Sequence, residues 1–129
     1  MEVVENGESE VDPIVVKLRK TSPKVTGGVL RVREAALAAG LFPAKVKALT
    51  ALSLSVAIRC EPCIEMYVGR ALEEGATYEE VVEFLNVAMA MQGCPGEAWA
   101  LKALNIFHRL SEGRSEAADR ERAQACCED

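Results

Sequence analysis

The sequence predicts an all-α protein of about six helices. Three observations point there. No strand-like alternation persists anywhere in the 129 residues, apolar positions recur at helical spacing, and the composition suits helices packed through small side chains. Half of the residues are apolar, yet only six are aromatic, while alanine and valine are plentiful. A chain of this length fits one domain around a single core.

Asp12-Pro13 opens a first helix to about Lys20, with proline at its first position. Ser22-Pro23 caps a second, which runs to about Ala39 and stops at Gly40. Pro43 starts a third over Ala44 to about Ile58, where Val46, Leu49, Leu52, Leu54, Val56 and Ile58 leave little polar face. The fourth begins at Cys60-Glu61-Pro62-Cys63, with Glu61 as its cap and Pro62 as its first residue. Its apolar stripe is Cys63, Ile64, Tyr67, Val68, Ala71 and Leu72, and Gly75 ends it. Thr77-Tyr78-Glu79-Glu80 is a capping box that launches the fifth helix, Val81 to Met91. Gly93-Cys94-Pro95-Gly96 breaks the chain, and Glu97 to about Leu110 forms the last core helix. The expected organisation is an acidic, disordered tail over 1–12, a helical domain over 13–112 and a polar tail over 113–129, itself capable of a helix polar almost all round. The third and fifth helices are too apolar for a small monomer, which predicts a homo-oligomer.

The charge distribution bounds the partners. Residues 1–12 carry Glu2, Glu5, Glu8, Glu10 and Asp12 with no base, and residues 111–129 carry six acids against Arg114, Arg120 and Arg122. Acidic ends of this kind serve solubility. The bases of the first half, from Lys17 to Lys47, are scattered and lack interleaved aromatics, so no nucleic-acid partner is expected. No apolar run spans a bilayer, because Lys47 and Arg59 bracket the best candidate, so no membrane partner is expected either. The N-terminus lacks the basic-then-apolar order of a signal peptide, and the protein reads as cytoplasmic.

Chemistry concentrates at one place. The five cysteines fall into three groups: Cys60 with Cys63, Cys94 alone, and Cys126 with Cys127. Only the first has the spacing of a site. Cys63 falls in the opening turn of a helix, where free backbone amides and the helix dipole favour a thiolate, the reactive form. Cys60 lies three residues back across a proline turn, within reach of a disulfide, and attack by one sulfur followed by closure with the other completes a redox cycle. Two alternatives remain open: small buried cysteines filling a helix junction, and a metal site, for which the other candidates (Cys94, His108, Cys126 and Cys127) lack matching spacing. No metal and no cofactor is expected.

The stretch from Leu52 to Ala98 also resembles the core of carboxymuconolactone decarboxylase-like proteins, in particular the branch that contains alkylhydroperoxidase D. The likeness is carried by Cys60-x-x-Cys63-Ile64, Ala71-Leu72, Gly75-Ala76-Thr77, Glu80-x-x-Glu83 and the Gly/Pro break at Gly93 to Gly96. It implies an all-helical fold assembled as hexamers or trimers, and a thiol-dependent peroxidase or disulfide reductase. It further implies that Cys63 attacks a peroxide or small disulfide, that Cys60 resolves the product, and that a separate thiol reductant restores the pair. Two positions depart from the redox-active pattern. The histidine four residues after the second cysteine is Tyr67 here, and the glutamate one helix upstream falls at Ala48. Tyrosine, with a reference pKa of about 10, accepts a proton poorly at neutral pH but can donate a hydrogen bond to a thiolate. Cys60, Cys63 and Tyr67 are thus the candidate catalytic residues of an oxidoreductase. The alternative is a non-catalytic oligomer that lacks the proton relay.

The remaining residues carry weaker expectations. His108 reads as a surface histidine or a distant relay. Glu61 and Glu65 flank the thiols, and their charge opposes a thiolate. Glu83 suits a buried or an exposed face. Met66, Met89 and Met91 read as core filling, and Trp99 as packing for the last helix.

Overall fold

Residues 11–125 are described by a computed structural model. They form six helices: α1 (Pro13–Thr21), α2 (Pro23–Leu37), α3 (Ala44–Ala57), α4 (Glu61–Glu73), α5 (Tyr78–Gln92) and α6 (Cys94–Ala125). No strand occurs among the described residues. Residues 1–10 of the expected tail over 1–12, and the pair Cys126/Cys127, lie outside that range.

α1 and α2 make one compact unit and α3 to α6 another. In the first, the Asp12 carboxylate accepts the Ile14 amide at 2.9 Å, which caps α1 as its sequence implied. Ser22 does not cap α2 through its hydroxyl. Instead its carbonyl accepts from both the amide and the hydroxyl of Thr26. α2 ends at Leu37, two residues before the expected stop, because the turn through Gly40 begins earlier. Neither helix contains a buried residue.

The second unit holds the core, and its logic is a repeated spacing. Leu49, Leu52 and Val56 on α3, Ile64, Val68 and Ala71 on α4, Val81, Leu85 and Ala88 on α5, and Ala100, Ala103 and Phe107 on α6 are all buried. Each set recurs three or four residues apart over two turns, so each helix turns one stripe to the centre. Full burial of a leucine, isoleucine or valine stabilises by about 1.5–3 kcal/mol. Alanines on α6 allow close approach, and Trp99 packs against the cluster as expected.

Several expectations need correction. Met66 and Met91 are exposed, at 39% and 82%, and only Met89 packs on the core. They sit off the stripes just described. α6 starts at Cys94 rather than Glu97, since the single left-handed residue Gly93 (φ 67°) suffices to turn the chain. Pro95 then needs no amide partner in the first turn. α6 also runs without interruption through Gly113, and beyond Leu110 its side chains are nearly all exposed.

α5 begins in the capping box read from sequence. The Glu80 amide donates to Thr77 Oγ1 at 3.2 Å and the Thr77 amide to Glu80 Oε1 at 3.1 Å. Lys45 Nζ lies 2.8 Å from the other Glu80 oxygen, tying the start of α3 to the start of α5. The Lys45 ammonium, then the Thr77 amide, hold the Glu80 carboxyl below its ordinary value of 4.5. A depressed carboxyl contributes stability that is complete above 4.5 and is lost as pH falls through the lower folded value. Glu80→Gln is therefore expected to melt below wild type at pH 7. That gap should narrow steadily in thermal melts taken below pH 4.5, and a constant gap would contradict this role.

Candidate active site

The thiol site is built where α3 ends and α4 begins. The amides of Ile58, Arg59 and Cys60 return to the carbonyls of Leu54, Val56 and Ser55. The last two bonds are the paired closure of a helix whose next residue is left-handed. That residue is Arg59, at φ 56° the one non-glycine with positive φ among the described residues. Ser55, a buried polar residue beneath this turn, satisfies its hydroxyl on the Ala51 carbonyl at 2.7 Å.

Cys60 follows in extended geometry as the N-cap of α4. Its Sγ accepts the Cys63 amide at 3.3 Å. The cap was expected at Glu61. The structure moves it one residue earlier because the Cys60 sulfur reaches the third amide of the helix, while Glu61 and Pro62 take the first two helical positions. Pro62 has no amide to leave unpaired there. Cys60 and Cys63 are joined in a disulfide, with Cα atoms 5.2 Å apart, inside the usual range for such a bond. Both residues are partly buried.

Tyr67 lies one turn beyond Cys63 on α4, partly buried and packed against the core. Ala48, where the resemblance places a relay glutamate, is 2% exposed within the core, so a methyl group fills that place. The two carboxylates beside the thiols have partners on α6. Lys102 Nζ is 3.9 Å from Glu61 and Arg109 is 3.1 Å from Glu65. Lys102 also sits 4.4 Å above the Trp99 ring. These exposed pairs are screened, and they moderate rather than cancel the negative charge at the turn.

The other candidates stand apart. The His108 side chain is 75% exposed and 3.2 Å from Glu112, which identifies it as a surface residue. Glu83 is exposed. Cys94 is a free, exposed thiol at the head of α6. A hollow on the α1–α2 unit is lined by Arg19, Pro23, Thr26, Gly27 and Leu30, none of them a thiol, an imidazole or a carboxylate. Among the described residues, no three of His, Cys, Asp and Glu gather as a metal-binding group, and no helix is long and apolar enough to cross a membrane. Arg59, Ser55 and Gln92, whose amide reaches the Ala57 carbonyl, escaped the sequence reading. No residue pattern marks an arginine for a left-handed turn or a glutamine for a bond across 35 positions.

The model of the carboxymuconolactone decarboxylase family matches residues 23–105. An uncharacterised protein of Cupriavidus necator is 35% identical over 94 residues, covering 73% of this chain and 83% of its own. A carboxymuconolactone decarboxylase family protein of Legionella pneumophila, solved in its apo form, superposes with a TM-score of 0.73 at 34% identity, covering 75% of this chain and 87% of its own. A family protein of Thermotoga maritima, for which a part in the antioxidative response has been suggested, gives 0.67 at 27% identity, covering 71% and 95%.

Proposed function

The chain belongs to the carboxymuconolactone decarboxylase family, and on that premise we propose that it is a thiol-dependent oxidoreductase that cycles Cys60 and Cys63 between dithiol and disulfide. The observation that carries this reading is the bonded pair at the head of α4, with the Cys63 amide directed at the Cys60 sulfur. A structural role alone asks for no such placement, since a bond across three residues constrains little of the unfolded chain.

The reaction runs as follows with a hydroperoxide. The Cys63 thiolate attacks the terminal oxygen, the O–O bond breaks, and the alkoxide leaves and takes a proton from water. Cys63 is then a sulfenic acid. The Cys60 thiol attacks that sulfur, expels water and forms the disulfide. Two equivalents of an external thiol, or one dithiol, reduce it again. A small disulfide substrate follows the same course with a thiolate as leaving group. The positive end of the α4 dipole favours a thiolate at Cys63 in the first turn, and the Tyr67 hydroxyl serves as hydrogen-bond donor to it. The Cys63 proton leaves to solvent, because neither Ala48 nor Tyr67 is a base. A peroxidase of modest rate follows, with an antioxidant role in the cytoplasm.

Alkylation of the reduced protein tests this. The rate at Cys63 is expected to persist to a pH below the free-thiol value of about 8.5, and mild peroxide should convert the pair to disulfide. A free-thiol profile with no disulfide would leave the second reading, a non-catalytic assembly protein. Ala48 and Tyr67 favour that alternative, and an exposed apolar face favours assembly under either reading. Leu54 on α3, Ile58 as the cap at its end, and Val87 and Met91 on α5 are 61%, 70%, 63% and 82% exposed. The proposed partner for this face is a second copy of the chain, in a hexamer or a trimer.

A further inference from the structure

The last residue of α5 holds the end of α3. Gln92 Nε2 donates to the Ala57 carbonyl at 2.8 Å. The three carbonyls before Ala57 already accept from Ile58, Cys60 and Arg59. Ala57 is thus the position where the internal bonding of α3 gives out, three residues before Cys60, and Gln92 completes it. A carbonyl only accepts, so the amide nitrogen must face Ala57. That fixes the side chain and leaves Gln92 Oε1 buried with no partner. A buried acceptor without a partner is destabilising, so the donor on the other arm is retained against a penalty. The stem is boxed as well. A Cβ on Gly96 would stand 2.8 Å from the Gln92 Cβ and 3.1 Å from the Ala88 carbonyl, so glycine alone lets α6 start this close.

We propose that Gln92 is a positioning residue for the dithiol turn, pinning the end of α3, and with it Cys60, from a helix that carries neither cysteine. This rests on the dithiol reading above. Closure of an intramolecular disulfide depends on how often the two sulfurs meet, and a turn anchored at Ala57 keeps Cys60 near Cys63. Without the anchor the end of α3 frays, and the equilibrium moves towards the dithiol.

The test equilibrates full-length wild type, Gln92→Met and Gln92→Lys with graded ratios of reduced and oxidised dithiothreitol, followed by alkylation and mass analysis. Methionine keeps the length of the side chain without a donor, and lysine restores a donor. A hydrogen bond worth about 0.5–1.5 kcal/mol net corresponds to roughly two- to twelvefold. Gln92→Met is expected to lower the constant for disulfide formation about fivefold, and Gln92→Lys to recover most of it. Thr77→Ala, at the opposite end of α5, controls for lost stability and should leave the constant unchanged. An unchanged constant in Gln92→Met, an equal shift in Thr77→Ala, or no recovery in Gln92→Lys would each overturn the inference. A wild type that never equilibrates with dithiothreitol overturns the dithiol reading itself, and the inference with it.

Discussion

Cys63→Ser is expected to abolish peroxide and disulfide turnover, with a loss of about a thousandfold or more, because a serine hydroxyl at neutral pH supplies almost no anion to attack either substrate. Cys60→Ser should behave differently. Its Cys63 still attacks, so one equivalent of peroxide is consumed in a burst, and turnover then stalls at a sulfenic acid that a dimedone probe can trap. Both variants put a hydroxyl where the thiol stood. In Cys60→Ser that hydroxyl is a better cap for the Cys63 amide than a sulfur, so helix content should not fall. Equal turnover in wild type and Cys63→Ser would remove the redox reading and leave the assembly reading. The asymmetry between the two variants is what separates an attacking from a resolving cysteine.

Ile58→Glu combined with Met91→Glu is expected to split the proposed oligomer into single chains. The two residues stand within one position of the ends of adjoining helices. Ser53 Oγ donates to the Phe84 carbonyl at 3.0 Å, and Gln92 closes on Ala57, so α3 and α5 lie side by side through their C-terminal halves. With Leu54 and Val87, the face presents roughly 500 Å² of apolar surface, at the upper end of what a monomer shows. Two copies joined through it bury roughly 1,000 Å², near the lower bound for a stable contact. A carboxylate forced into such a contact costs several kcal/mol, about a hundredfold or more in self-association. Sedimentation velocity at micromolar concentration reads the result, and circular dichroism should be unchanged because both side chains are exposed. A wild type that sediments as one chain would end this proposal.

The core was legible because its signal is local. Val81, Leu85 and Ala88 announce their own face by spacing, and Thr77 and Glu80 announce a helix start by chemistry that needs no other part of the chain. Cys60 and Cys63 were legible for the same reason, being three residues apart. What sequence could not supply depends on distance or on backbone geometry. Met91 and Val87 look like core residues until three dimensions show which side of α5 is already filled. Cys60 displaced Glu61 as the cap because the sulfur's reach, not residue preference, decided it. Gln92 acts across 35 positions on a main-chain carbonyl, which leaves no trace in the residue that receives it.

Arg59 bears on how readily the two sulfurs find each other. An L-residue in the left-handed region costs about 1–2 kcal/mol, and glycine would enter it with no steric penalty. Glycine would also leave the loop free to wander among many shapes once the bond opened. An arginine held there by two main-chain bonds has few other shapes to visit, so the turn that delivers Cys60 to the head of α4 keeps its shape when the disulfide opens. The strain beside Cys60 amounts to a loop already wound before the second sulfur arrives.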